Sequence, residues 1–111
     1  TPHRSHLAVR LGAPSEFSHS AAYKGAVDSS TSGCAREVSA EGVRVNAVAP
    51  GMIDTDIHAS AGAPDRAARR GPTTPIGRAA APEEVAEASV WLLSDSAGYC
   101  PGSILEVAGG R

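Results

Sequence analysis

Residues 42–51 read Gly-Val-Arg-Val-Asn-Ala-Val-Ala-Pro-Gly, and this stretch decides the fold. Val43 to Val48 is short, rich in β-branched residues and bounded by Gly42 and Pro50, the pattern of a buried strand. Just before it, Ser20 to Ala40 holds no proline. Ala22, Ala26, Val27, Cys34, Ala35 and Val38 recur there with helical spacing. Glu41-Gly42 closes that helix, with Gly42 suited to a left-handed C-terminal residue. A helix running straight into a short apolar strand is an αβ unit of a parallel sheet. Gly25 and Gly33 lower helix propensity, so the sequence predicts a backbone packed close against them.

Downstream, Pro50-Gly51 breaks regular structure. Residues 51–81 read as a mobile lid with a short helix near Asp65–Arg70. Pro82-Glu83-Glu84 opens a second long helix. Proline suits the first helical position, and the acids suit the positive end of the dipole. Val85, Ala88, Ser89 and Leu92 give its inward face, with Trp91 at a surface, and the helix stops near Ser94-Asp95. Residues 98–102 form a turn, residues 103–108 a second strand, and Gly109-Gly110-Arg111 a loop end. Residues 1–19 are polar and read as an irregular loop, so the chain divides into that segment and a folded portion over 20–111.

Composition narrows the function. With 41% apolar and 20% charged residues, the chain is an ordinary globular segment. Aromatics are 4%, so Ala, Gly and Val must fill the core. A net charge of −2 with no basic block argues against nucleic acid. No apolar run approaches the ~20 residues that cross a bilayer. His3, His6 and His19 match no metal-site spacing, and no metal is expected. Cys34 and Cys100 read as reduced cytoplasmic thiols. The first residue is Thr1, which suggests a truncated or trimmed product.

Four ordered stretches carry a resemblance. They are KGAVDSSTSGCAREVSAEGVRVNAVAPG (Lys24 to Gly51), GMIDTDI (Gly51 to Ile57), PIGRAAAPEEVAEASVWLLSD (Pro75 to Asp95) and PGSILEVAGG (Pro101 to Gly110). Their order and spacing resemble the short-chain dehydrogenase/reductase family. The resemblance implies an α/β fold: the C-terminal part of a Rossmann-type, doubly wound parallel sheet, incomplete here because no glycine-rich pyrophosphate turn is present. It implies an oxidoreductase moving hydride between NAD or NADP and a small carbonyl or alcohol compound, working as a homo-oligomer. The helix of Pro82 with the last strand, and the helix of Lys24, would each meet a partner subunit.

In that family a tyrosine is general acid or base, and a lysine four residues on lowers its pKa and holds the nicotinamide ribose. Lys24 matches the lysine. The tyrosine position is Ser20, because the usual Tyr-x-x-Ser-Lys reads Ser20-Ala21-Ala22-Tyr23-Lys24 here. An aliphatic hydroxyl ionises far above the phenol value of about 10, so serine is no simple replacement. Tyr23 either leans back toward the vacated position, about three residues of 1.5 Å rise away, or packs on the helix surface. The family's substrate-binding serine aligns with His6, with Ser5 beside it. Pro50, Gly51, Ile53 and Thr55 match the turn that meets the nicotinamide end of the cofactor. Asn46 is assigned to bridging neighbouring backbone. Arg36, Glu37, Glu41 and Arg44 read as solvated or interface charges.

The other function considered is a non-catalytic remnant or interaction module of the same ancestry. With two readable strands and one strand edge exposed, the chain is expected to be marginally stable or to self-associate.

Overall fold

A computed structural model describes residues 4–9, 17–54 and 66–110. The elements in chain order are β1 (Arg4–Val9), α1 (Phe17–Val38), β2 (Val43–Pro50), α2 (Arg66–Arg70), α3 (Pro82–Leu93) and β3 (Ile104–Val107). Short 3-10 turns at Ser39–Glu41, Gly71–Thr73 and Asp95–Ala97 link them. Gly42 ends the first turn in the left-handed region, φ 79°, a conformation that costs a residue without Cβ nothing.

The strands form a parallel sheet in the order β1-β2-β3. Two expectations are corrected here. The loop assigned to residues 1–19 contains β1, and its last residues, Phe17 to His19, already belong to α1. Arg4, Ser5 and His6 mask the strand signal because β1 is the outer strand among the described residues and none of its residues is buried, so little hydrophobic pattern is demanded of it. β2, expected to lie at an exposed edge, is the central strand. Asn46, Ala47, Val48 and Ala49 are buried in succession, so both faces of β2 are covered. Both α1 and α3 pack against it.

The core is made of small side chains, as composition requires. Ala35, Ala47, Ala49, Ala67 and Ala97 are buried, and among the described residues only Leu92 and Val48 are large and fully enclosed. Gly25 and Gly33 depart from expectation. Added Cβ atoms there would meet nothing within 4 Å, so no described backbone packs on them. Close approach occurs at Gly51 instead, where a Cβ would lie 2.7 Å from the Ala108 Cα.

Arg44 is a further correction. It is 7% exposed, not solvated. Its Nη1 donates to the Leu92 carbonyl at 2.6 Å, and its Nη2 donates to the Ser94 carbonyl at 3.0 Å and to Ser5 Oγ at 2.8 Å. The C-terminal carbonyls of α3 carry partial negative charge, which suits a buried cation. Asn46 does what was expected of it: its Oδ1 accepts from the Ser103 backbone N–H at 2.8 Å, tying β2 to the start of β3.

Candidate active site

The C-terminal end of the sheet collects most of the residues singled out from sequence. Helix α1 returns to the start of β2 through Gly42, so it runs antiparallel to that strand. Fourteen residues separate Lys24 from Val38, roughly 21 Å of helix. Seven strand steps separate Val43 from Pro50, roughly 23 Å. Lys24 therefore stands level with the Pro50-Gly51 turn. It is half-buried and shares a helical stripe with the buried Thr31 and Ala35. Thr31 Oγ1 donates to the Val27 carbonyl at 2.7 Å, which satisfies its hydroxyl inside the helix–sheet layer.

Tyr23 sits one position away from that stripe, a rotation of about 100°, and is 52% exposed. Ser20 lies in α1 one turn before Lys24, and its side chain falls outside the described residues. Thr55 also falls outside them.

The turn after β2 is tied down, which corrects the expectation of a mobile lid for its described parts. The Gly51 N–H donates to the Val107 carbonyl at 2.9 Å. The Ala80 N–H donates to the Met52 carbonyl, and the Asp54 N–H donates to the Ala80 carbonyl, each at 2.9 Å. These bonds form a parallel bridge between Ile53 and Ala80. Since the flanking residues make both bonds, the amide and carbonyl of Ile53 point away from Ala80. Farther along, the Ile76 N–H donates to the Gly109 carbonyl at 3.0 Å. A cleft of about 190 Å³ lies between Met52, Thr74, Ile76 and the end of β3 at Val107 and Ala108.

The approach to α3 is clamped electrostatically. Arg78 meets Glu84 with two hydrogen bonds of 2.9 and 2.8 Å, and Glu84 also accepts from the Ala81 N–H at 2.8 Å. The arginine contact, then the backbone N–H, hold the Glu84 carboxyl down at about 2. The glutamate thus caps the helix that Pro82 begins.

Ser5 and His6 are not brought to this site. Ser5 pairs with Arg44 and His6 with Val45, at the N-terminal end of the sheet. The strand residue at the C-terminal end is Val9, opposite Val48. Sequence reasoning also missed Arg44. Its neighbours Val43 and Val45 mark a strand, but nothing local shows that the last carbonyls of α3 converge on it. Among the described residues no cluster of His, Cys, Asp or Glu could hold a metal ion. No described helix is long and apolar enough to cross a membrane.

Residues 5–111 match a family model described as enoyl-(acyl carrier protein) reductase. An uncharacterized oxidoreductase, YgfF of Escherichia coli, is 50% identical over 96% of this chain and 43% of its own length. The cis-4-hydroxycyclohexanecarboxylate dehydrogenase of Sinomonas cyclohexanicum is 47% identical over 90% of this chain and 39% of its own. A crystal structure of hydroxysteroid dehydrogenase from Escherichia coli superposes with a TM-score of 0.83 at 31% identity, over 96% of this chain and 44% of that one. The chain spans less than half the length of these relatives. The parallel sheet, the Lys24 helix and the Pro50-Gly51 turn, joined to a family match across nearly every residue, establish that the chain belongs to the short-chain dehydrogenase/reductase family of oxidoreductases.

Proposed function

We propose that residues 20–111 are the nicotinamide-facing, C-terminal portion of an oxidoreductase using NAD or NADP on a small carbonyl or alcohol compound, and that proton transfer is silenced in this chain. The residues present fit one end of such a cofactor. Lys24, a half-buried residue level with the turn, offers an ammonium group suited to ribose hydroxyls. Pro50 and Gly51 fix the turn's path, and family resemblance adds Ile53 to the cofactor-facing set. Thr55 completes the set by family resemblance. A bound nicotinamide supplies or accepts the hydride.

The observation that carries the silenced reading is the position of Tyr23. The one phenol near Lys24 is 52% exposed and off the stripe that faces the sheet. A general acid must come within hydrogen-bond reach of the substrate oxygen. Ser20 holds the family position but cannot ionise in the useful range. Fluorescence titration with NADH and NADPH, with turnover assays on a panel of ketones and aldehydes, tests this. The expected result is no hydride transfer by the chain. Turnover of any carbonyl compound, lost on Tyr23→Phe, would show that Tyr23 serves and would sink the proposal.

A second reading, an interaction module of the same ancestry, draws on one surface. Val90, Trp91 and Leu93 at the end of α3 are 66%, 46% and 44% exposed, and Tyr99 is wholly exposed. An apolar patch of this kind suits a subunit contact, and family resemblance assigns this helix to a homo-oligomer. Light scattering on Trp91→Glu tests it, since an unchanged molar mass would remove that contact. Cys34 and Cys100 are free thiols, which supports a cytoplasmic place of action.

A further inference from the structure

We infer that Arg78 and Glu84 are positioning residues for the cofactor end of the site: their ion pair sets where Ile53 stands, and so how tightly a nicotinamide dinucleotide binds. The inference rests on the reading of Ile53 as cofactor-facing.

The turn that carries Ile53 is held at two points. At its start, the Gly51 N–H donates to the Val107 carbonyl at 2.9 Å, which ties it to the sheet. Farther on, the Met52 carbonyl and the Asp54 N–H bond to Ala80, each at 2.9 Å, across the Ile53–Ala80 bridge. A bridge of one residue pair has no neighbouring pairs to fix its register. The place of Ile53 therefore follows the place of Ala80.

Ala80 is gripped from both sides by one carboxylate. Two residues before it, Arg78 donates Nη1 to Glu84 Oε2 at 2.9 Å and Nη2 to Glu84 Oε1 at 2.8 Å. One residue after it, the Ala81 N–H donates to Oε2 at 2.8 Å. Glu84 stands in the first turn of α3, a helix seated in the core by Leu92. A bidentate arginine–carboxylate pair fixes orientation as well as distance. Met52, Arg78, Ala80 and Glu84 line one cleft, so the clamp and the turn share a surface. The competing anchor is the buried Thr74, whose hydroxyl oxygen lies 2.9 Å from the Arg78 carbonyl. That contact is uncharged, so salt tells the two apart.

Amide exchange and NADH fluorescence titration on the natural chain, Arg78→Met, Glu84→Gln and Arg78→Lys test this. Glu84→Gln keeps an acceptor for the Ala81 N–H, so it opens the clamp and spares the helix cap. In Arg78→Met and Glu84→Gln the Asp54 and Ala80 amides should exchange roughly two- to fivefold faster, the range for an exposed ion pair, while the Gly51 amide holds. NADH should bind more weakly by a similar factor. Arg78→Lys keeps a charged contact without the fork and should recover part of both. Raising salt should speed the same two amides in the natural chain, relative to Gly51, and leave Arg78→Met unmoved. Asp54 and Ala80 amides that are unaltered, or altered only in step with Gly51, would overturn the inference. Unchanged NADH affinity beside opened amides would overturn the link to the cofactor. A natural chain that binds no NADH would count against the functional reading and that link together, and the amides would still decide whether the pair positions Ile53.

Discussion

Arg44, on the central strand, donates to the carbonyl of Leu92, at the end of α3, over 2.6 Å. The bond joins residues 48 positions apart, and the same guanidinium reaches Ser94 and Ser5. One side chain therefore ties β1, β2 and α3 together. Arg44→Met removes three charged-group hydrogen bonds and leaves helix-end carbonyls buried beside an apolar chain. A loss of about 2–3 kcal/mol is expected, read as a lower urea midpoint at unchanged slope. Arg44→Lys should recover only part, because an ammonium group cannot span the same acceptors. An unaltered midpoint in both variants would contradict this role.

Glycines should respond in opposite directions. Gly51→Ala forces a Cβ to within 2.7 Å of the Ala108 backbone, which cannot yield without moving the end of β3. A loss of about 1–3 kcal/mol is expected, with weaker NADH binding because the turn shifts. Gly25→Ala and Gly33→Ala enter open space on a helix and should each stabilise by up to about 1 kcal/mol. Thermal melts of the three variants settle the signs.

Glu84 should make stability pH-dependent in acid. Its carboxyl is held at about 2 in the folded chain against 4.5 ordinarily. A depressed folded value means the stabilisation is present above about pH 4.5 and is lost as pH falls toward 2. Comparing melting temperatures of the natural chain and Glu84→Gln from pH 7 downward should show a gap that closes in this window. Both partners are exposed, so the gap should also shrink with salt. A pH-independent gap would refute the carboxylate as its source.

The core predicts low stability. Leu92 is 1% exposed and is one of two large side chains fully enclosed among the described residues. Its loss in Leu92→Ala should cost about 2–5 kcal/mol, enough to unfold a chain of this size. For the natural chain, calorimetry should give a midpoint below about 55 °C that rises with protein concentration if folding and association are linked. A sharp, concentration-independent transition at higher temperature would show that the small core suffices.

Much of the local structure was legible. Apolar spacing placed α1 and α3, and β-branched runs placed β2 and β3, within a few residues of their observed bounds. Pro82 and Glu84 marked the start of α3 through backbone chemistry that needs no tertiary partner. β1 was not legible, because an edge strand carries little hydrophobic alternation. Arg44 was misread, because burial of a cation depends on acceptors that arrive from distant sequence. At the candidate site, the αβ order and the lengths of α1 and β2 draw Lys24, Pro50 and Gly51 toward one end of the sheet. Ser5 and His6 are not drawn there, since register along a strand is fixed by the neighbour it pairs with.

The sequence by itself determined which segments coil and which extend, where α3 begins, the small-residue character of the core, and the order Ser20-Ala21-Ala22-Tyr23-Lys24. These follow from short-range sterics, capping and side-chain chemistry. Only the tertiary structure decided that β2 is central among the described strands, that Arg44 is an internal clasp, that Ser5 stands at the far end from Lys24, and that Gly51 lacks the room for a side chain that Gly25 and Gly33 have. Those facts depend on which backbone lies a few ångströms away across the fold, and no local pattern of residues encodes that distance.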